Sequence, residues 1–332
     1  MQAQVDQFVK RHHLIPHGST IVVGVSGGAD SMALLNYLKE RSALWNLTLI
    51  ACSIDHRLRG EDSKKDLDYV RDFCLEQEII FVGKSVDVPG LMDKKRLGSE
   101  EAARICRYQV FEEVMNAYKA DLLALAHHGD DQIETMLMRQ VRGSFGISKA
   151  GIPITRPFAC GMLIRPFLTI TKDDIEGYCK KCGIIPRYDK TNESDDYTRN
   201  RFRKVILPFL KKENPKVHIQ FQLDSERMTD DYRLLDELAQ RELPRIIEEK
   251  TTNAVKFSIN CLKGAPVPLQ RRMIHLILNY LYKQTQFYSE IQFVHIESLL
   301  KWLGEKKASG IMNMPNNIVV ERSYNHCIIR TE

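Results

Sequence analysis

Between about residues 19 and 168, short apolar runs alternate with longer stretches of helical period. Ile21 to Val25 is apolar throughout, as expected of a strand covered on both faces of a parallel sheet. A helix follows from Met32 and puts Leu34, Leu35 and Leu38 on one face. The same alternation predicts strands at Leu47 to Ile54 and Ile79 to Gly83, with a helix at Lys64 to Glu76 between them. A helix at Ser99 to Ala117, capped by Ser99, comes next. Leu122 to Ala126 reads as a fourth strand, Asp130 to Val141 as the helix after it, and Leu163 to Pro166 as a final edge strand. Strand–helix–strand repetition of this kind predicts an α/β fold: a Rossmann-like parallel sheet with helices on both faces. Ahead of it, Val5, Phe8 and Val9, interrupted by Asp6, Lys10 and Arg11, form a short amphipathic helix rather than a leader peptide.

After Pro208 the alternation stops. Asp224 to Glu248 and Leu269 to Tyr282 have helical period, and Ile311 to Arg330 reads as a small β element turning at Asn316-Asn317. The expected organisation is a catalytic domain over 1–210 and a smaller, mainly helical domain over 211–332, with the break near Pro208 to Pro215. The chain's 332 residues, 43% hydrophobic and 27% charged, are ordinary for a globular protein, and no apolar run approaches the roughly 20 residues of a membrane span. The net charge of +5 is mild, but seven cations stand between Arg199 and Lys216 against the single acid Glu213. That segment is either a solvated helix face or a surface for an anionic polymer. Eight cysteines follow no framework spacing, so free thiols in the cytoplasm are the expectation. Cys179 and Cys182, at the end of a helix over Lys172 to Lys181 that stops at Gly183, lack the further ligands a metal would need.

Candidate chemistry begins at Ser26-Gly27-Gly28-Ala29-Asp30-Ser31, directly after the first strand and before a helix. Two glycines let the backbone turn sharply and bring its N–H groups close to a polyanion, and the helix adds its positive dipole end. Ser26 and Ser31 offer hydroxyls, while Asp30, which would repel a bare phosphate, suits a Mg²⁺ held beside one. G-x-x-x-x-G-K-[ST] is excluded because no lysine follows the glycines, and G-x-G-x-x-G by the spacing after Gly24.

Three more segments sit where ligands bind in α/β sheets, or face that edge. Asp55 to Ser63, containing His56, follows the second strand; Glu100, Arg104 and Arg107 share a face of the Ser99 helix. His127-His128-Gly129-Asp130-Asp131-Gln132-Ile133-Glu134-Thr135 follows the fourth strand, and its i,i+4 pairs Asp130/Glu134 and Asp131/Thr135 can each project together toward Mg²⁺ or an amine. Each segment has a plainer reading as a charged surface or a dipole complement.

The Ser-Gly-Gly-x-Asp-Ser loop resembles that of the PP-loop ATP pyrophosphatases, which cleave ATP to AMP and pyrophosphate. With the His127–Thr135 segment, the Glu100/Arg104/Arg107-Tyr108 helix, Arg165-Pro166-Phe167-Leu168, Asp189-Lys190-Thr191-Asn192 and Tyr197-x-Arg199-Asn200-x-x-Arg203, the chain is similar to tRNA(Ile)-lysidine synthetases over nearly all of 19–210. That resemblance implies adenylation of the C2 carbonyl oxygen of the wobble cytidine of tRNA(Ile) with a CAU anticodon, then displacement of AMP by L-lysine. It implies ATP contacts from Ser26, Gly27, Gly28, Ala29, Asp30, Ser31, His56 and His127, with Mg²⁺ on Asp30. It also implies catalytic roles for Asp30, Asp131 and Glu134, and lysine or tRNA contacts from Arg104, Arg107, Asp130, Arg142, Arg199 and Arg203. A cytoplasmic enzyme that can form a homodimer is the corresponding expectation; many bacterial members continue into a further C-terminal domain, so the sequence is expected to be either a short member or a truncated one. The alternatives are a tRNA-thiolating PP-loop enzyme acting on a cytidine, a small-molecule amidotransferase-like synthetase, and a tRNA-binding module with a vestigial nucleotide site.

Overall fold

The computed structural model describes residues 1–57, 61–187, 198–282, 292–306 and 308–331. It divides the chain into two compact units, one of residues 1–138 and 151–224, the other of 139–150 and 225–332. No helix among the described residues is long and apolar enough to cross a membrane.

In the first unit the helix α1 (Gln2–Arg11) precedes β1 (Thr20–Gly24), α2 (Ala29–Trp45), β2 (Thr48–Asp55), α3 (Glu61–Glu76), β3 (Ile80–Ser85), α4 (Val88–Lys95), α5 (Ser99–Tyr118), β4 (Leu122–Ala124) and α6 (Gly129–Val141). There follow β5 (Thr155–Phe158), β6 (Gly161–Ile164), α7 (Lys172–Lys181), α8 (Thr198–Arg201) and, after a π-helical turn over Phe202–Ile206, α9 (Leu207–Glu213). The sheet order is β3-β2-β1-β4-β6-β5, parallel except for β5. β1 is central, and the two-residue period of its side chains divides the core between two faces. Ile21 and Val23 pack with α1, α2 and α7 residues such as Val5, Leu34, Leu38 and Ile175. Val22, with Ile50, Leu123 and Leu163 beside it, packs under Val110, Phe111, Val114 and Met115 of α5.

Two local expectations fail. Leu163 lies on β6, which is not the edge, because β5 pairs antiparallel outside it; the proline at 157 masked β5 in the sequence, and an edge strand tolerates it. Ser99 does not cap α5: Gly98 holds the N-cap position with extended backbone, and Ser99 is already helical. The Lys172 helix, by contrast, stops as expected, with Gly183 at φ +68°.

The second unit contains most of α10 (Val217–Ile246), then β7 (Ile247–Lys250), β8 (Ala254–Ser258), α11 (Ile259–Gly264), α12 (Val267–Tyr282), α13 (Phe293–Gly304), β9 (Ser309–Met314), β10 (Ile318–Ser323) and β11 (His326–Thr331). Its five strands form an antiparallel sheet in the order β7-β8-β11-β10-β9, packed through Phe257, Val320 and Ile329 against Ile274, Ile277, Leu278 and Leu299. Strand content therefore exceeds what helical period after residue 210 suggested, since β7 and β8 are too short and charged to register as apolar runs. The β9–β10 connection is three residues, Pro315 to Asn317, and Asn316 and Asn317 both adopt positive φ (60° and 56°) in it.

β6 runs so close to the start of β4 that a Cβ at position 161 would overlap the Asp121 carbonyl oxygen. Gly161→Ala is expected to cost about 1–3 kcal/mol by overpacking, read as a lower urea midpoint at unchanged slope; an unchanged midpoint would contradict this packing.

Candidate active site

β1 is buried along its length and sits at the centre of the sheet, so its carboxyl end delivers Val25 to Ser31 to the middle of the ligand edge. Val25 still follows the sheet, its N–H donating to the Cys52 carbonyl at 2.9 Å. Gly27 then turns through φ +81°, and Gly28 forms the extended N-cap of α2. Ser31 draws the loop together: its hydroxyl accepts from the Ser26 N–H at 3.0 Å and donates to the Gly28 carbonyl at 3.1 Å. From the opposite side the Arg187 N–H donates to the Gly27 carbonyl at 3.0 Å, and its guanidinium pairs with Asp66 at 2.9 Å.

A cavity of about 370 Å³ opens on this loop, a volume in the range of small-ligand sites. Ser26, Gly28, Asp30 and Ser31 line one wall, and His56, Arg104, Arg107, His127 and Asp131 line the rest around Ile54, Phe111 and Leu125. The structure thus unites most of the ATP-site residues expected from the sequence with the two arginines of α5. Gly27 and Ala29 belong to the loop without lining the cavity. Leu58 to Gly60, Asp189 to Asn192 and Tyr197 lie outside the described residues.

The acidic start of α6 separates into two directions. Asp131 stays on the cavity, its Oδ2 accepting the His128 N–H at 3.1 Å, with His128 Nε2 3.5 Å away. Glu134, one turn on, is 1% exposed and lies in the fork of Arg203, at 2.7 and 3.1 Å, with Arg199 at 3.3 Å. Arg203 also reaches Asp131 at 3.3 Å, and Arg199 donates to Thr135 at 3.0 Å. Asp130 turns the other way: its Oδ2 accepts from Lys211 Nζ at 2.8 Å and from the Lys172 N–H at 3.1 Å. The i,i+4 partners Asp130 and Glu134 therefore do not converge, and it is Asp131 and Glu134 that share a cation. Arg142 is exposed and belongs to the second unit.

Charge states follow from burial and neighbours. Burial pushes the His127 imidazole down to about 4, so it is neutral at physiological pH, and its Nδ1 has no hydrogen-bond partner among the described residues. Burial alone would raise Asp131, but the His128 ring, the His128 N–H and Arg203 outweigh it and hold the carboxyl at about 2. Burial also pushes the Glu134 carboxyl up; the two-point fork with Arg203, which a carboxylate alone completes, decides for the ion pair. Behind the cavity Arg165 is 4% exposed and burial lowers its guanidinium to about 10. Arg104 and Arg156 lie over the Tyr108 ring at 4.8 and 5.0 Å.

Sequence reasoning did not single out Lys172, Lys211, His128 or Arg156. The clearest missed signal is Thr171-x-x-Asp174, a capping box that places Lys172 at the first position of α7. α7 packs on the start of α2, with the Cys179 thiol 3.6 Å from the Ala29 carbonyl.

A PP-loop domain family matches residues 1–210. The chain is 44% identical to the tRNA(Ile)-lysidine synthase of Bacillus subtilis over 99% of its own length and 69% of that protein's. It is 43% identical to that of Geobacillus kaustophilus over 98% and 69%. This chain belongs to the tRNA(Ile)-lysidine synthase family. It is accordingly an ATP-using ligase of the PP-loop type. A U34-tRNA thiolase from Methanococcus maripaludis, solved with its [4Fe-4S] cluster, shares the fold at TM-score 0.59 and 20% identity, covering 69% of this chain and 77% of that one. The cysteine that lines the cavity of the lysidine synthase chain, Cys52, is held as the thiol, since burial pushes it up to about 12. Thiolate chemistry is therefore not favoured there.

The depressed His127 makes a pH prediction. Its ordinary value is 6.5, so between pH 6.5 and 4 the unfolded chain binds a proton that the folded one does not. Stability must rise with pH across that window, by about 2 kcal/mol from pH 5 to 6.5 at 1.36 kcal/mol per pH unit. Asp131 contributes only lower, its share being lost as pH falls through 3.8 toward 2. His127→Gln should lower the pH 5–6.5 difference in unfolding free energy by about 2 kcal/mol, the depressed His275 and His218 keeping their own share; a slope equal to the wild type's would refute the buried neutral imidazole.

Proposed function

We infer that this chain ligates L-lysine to C2 of the wobble cytidine (C34) of tRNA(Ile) with a CAU anticodon, at the expense of ATP. The observation that carries this reading is the meeting, in one cavity, of the phosphate loop, the arginines of α5 and the anionic Asp131, in a chain of the lysidine synthase family. A pyrimidine C2 carbonyl is a poor electrophile. Attack of its oxygen on the α-phosphate of ATP expels pyrophosphate and leaves an O–AMP group on C2. The lysine ammonium gives one proton to water to become the free ε-amine, its nitrogen attacks C2, the C2–O bond breaks, AMP departs, and the extra proton on the newly bonded nitrogen passes to water.

Each part of the site matches a need of that sequence. The N–H groups of the loop and the N-terminus of α2 receive the polyphosphate. Asp30 already accepts a cation at 2.7 Å, from Lys172, so its carboxylate would hold a Mg²⁺ beside the phosphates. When bound, Mg²⁺ neutralises charge on the departing pyrophosphate. Arg104 and Arg107 face the nucleotide phosphates or the tRNA backbone. The unpartnered Nδ1 of His127 offers the nucleotide a polar contact beside Leu125 and Phe111.

Asp131 is the carboxylate that binds the lysine ammonium. Held at about 2, it attracts a cation but is too weak a base to take the proton. Glu134 keeps Arg203 drawn away from full neutralisation of Asp131. The exposed cations Arg201, Lys204 and Lys212 of α8, the π turn and α9 face the tRNA phosphates, as the half-exposed edge of Arg199 can, giving salt-dependent binding. Such substrates place the enzyme in the cytoplasm.

AMP release should require ATP, lysine and the CAU isoleucine tRNA together, each omitted in turn. Asp30→Ala should abolish that release, and an active variant would remove Asp30 from the metal role. Glu134→Gln should leave tRNA- and ATP-dependent pyrophosphate release in place while raising the lysine requirement several-fold. Equal loss of both steps would make Glu134 a purely structural residue.

A further inference from the structure

The phosphate loop lacks the lysine that follows the glycines of G-x-x-x-x-G-K-[ST] loops. The fold nevertheless brings a lysine to it from 142 residues further along the chain: Lys172 Nζ lies 2.7 Å from Asp30 Oδ1. Asp30 lines the cavity beside Ser26, Gly28 and Ser31, so this ammonium group is paired with an acid of the loop's own wall.

The backbone of Lys172 is anchored from several sides while its side chain is not. Thr171 and Asp174 close a capping box around it, its own N–H is bound to Asp130, and Asp130 is neutralised by Lys211. α7 is tied to α2 by the Asn36–Tyr178 hydrogen bond at 2.7 Å. The Lys172–Asp30 pair itself is accessible, at 37% and 34% side-chain exposure, so it adds little to stability. A cation at the first turn of a helix also opposes the helix dipole, where Asp173 and Asp174 follow the stabilising pattern. Neither packing nor helix electrostatics accounts for a lysine here.

We propose that Lys172 is the phosphate-binding cation of the loop, paired with Asp30 in the nucleotide-free protein and turned onto the β- and γ-phosphate oxygens when ATP enters. Its four-carbon stem permits the turn without movement of α7. Asp30 is thereby freed for Mg²⁺, so one exchange of partners both admits the polyanion and exposes the metal ligand. The inference rests on the adenylation reading given above.

The test is calorimetric titration of the full chain, without tRNA, using ATP, inorganic pyrophosphate and AMP as probes in the presence of Mg²⁺. Lys172→Gln should weaken ATP and pyrophosphate binding about tenfold, the loss of one charge-assisted contact, with AMP binding and the ligand-free melting temperature unchanged. Lys172→Arg should retain most of the affinity. Asp30→Asn should tighten binding of pyrophosphate in the absence of Mg²⁺, and Lys172→Gln should cancel that gain, since the two residues are coupled. Unchanged pyrophosphate affinity in Lys172→Gln, or an equal loss for AMP, would overturn the proposal. A wild-type chain that binds neither ATP nor pyrophosphate would instead sink the adenylation reading.

Discussion

The site depends on the burial of β1. Its side chains are covered alternately by the α1–α2–α7 layer and by α5, and this two-sided cover holds the strand at the centre of the sheet. The residues after Gly24 must therefore leave at the middle of the carboxyl edge, where α2, α5 and α6 all begin or pass. Gly27 and Gly28 can turn there because nothing in the strand below them gives way. The hydroxyl of Ser31 then closes the loop from within, tying the Ser26 N–H to the Gly28 carbonyl.

The second determinant is the set of acids at the start of α6. Asp130, Asp131 and Glu134 are all largely removed from water, and ionised carboxylates so placed need partners. The partners come from far away in sequence: Lys211 for Asp130, Arg203 and Arg199 for Glu134, His128 and Arg203 for Asp131. These pairings dock α8, α9 and the start of α7 onto α6, so the same contacts that balance buried charge also build the wall of the site. Asp131 alone keeps a face on the cavity.

Much of this was legible in the chain itself. Apolar runs and helical period located every strand of the parallel part of the sheet: β1, β2 and β4 because strands covered on both faces leave few polar positions to confuse the pattern, and the edge strand β3 through its Ile80-Phe81-Val82 run. The strands that escaped notice, β5, β7 and β8, are edge, charged or short, and their stability comes from neighbours rather than from their own pattern. The motif after β4 announced its acids but not their directions. Helical spacing suggested that Asp130 and Glu134 act together, whereas the nearest available cations drew them apart.

The sequence by itself determined the α/β class, the strand–loop–helix context of Ser26 to Ser31, and the family whose chemistry that loop serves. Local physics suffices for those, since turn geometry, helix dipoles and hydrophobic period act over a few residues. Tertiary structure alone decided that Arg104, Arg107, His127 and Asp131 border one cavity, that Glu134 lies behind it, and that Lys172 stands at the phosphate loop. Those are relations between residues tens to more than a hundred positions apart. They are set by how helices pack on the sheet and by which buried charge finds which partner, neither of which a local pattern encodes.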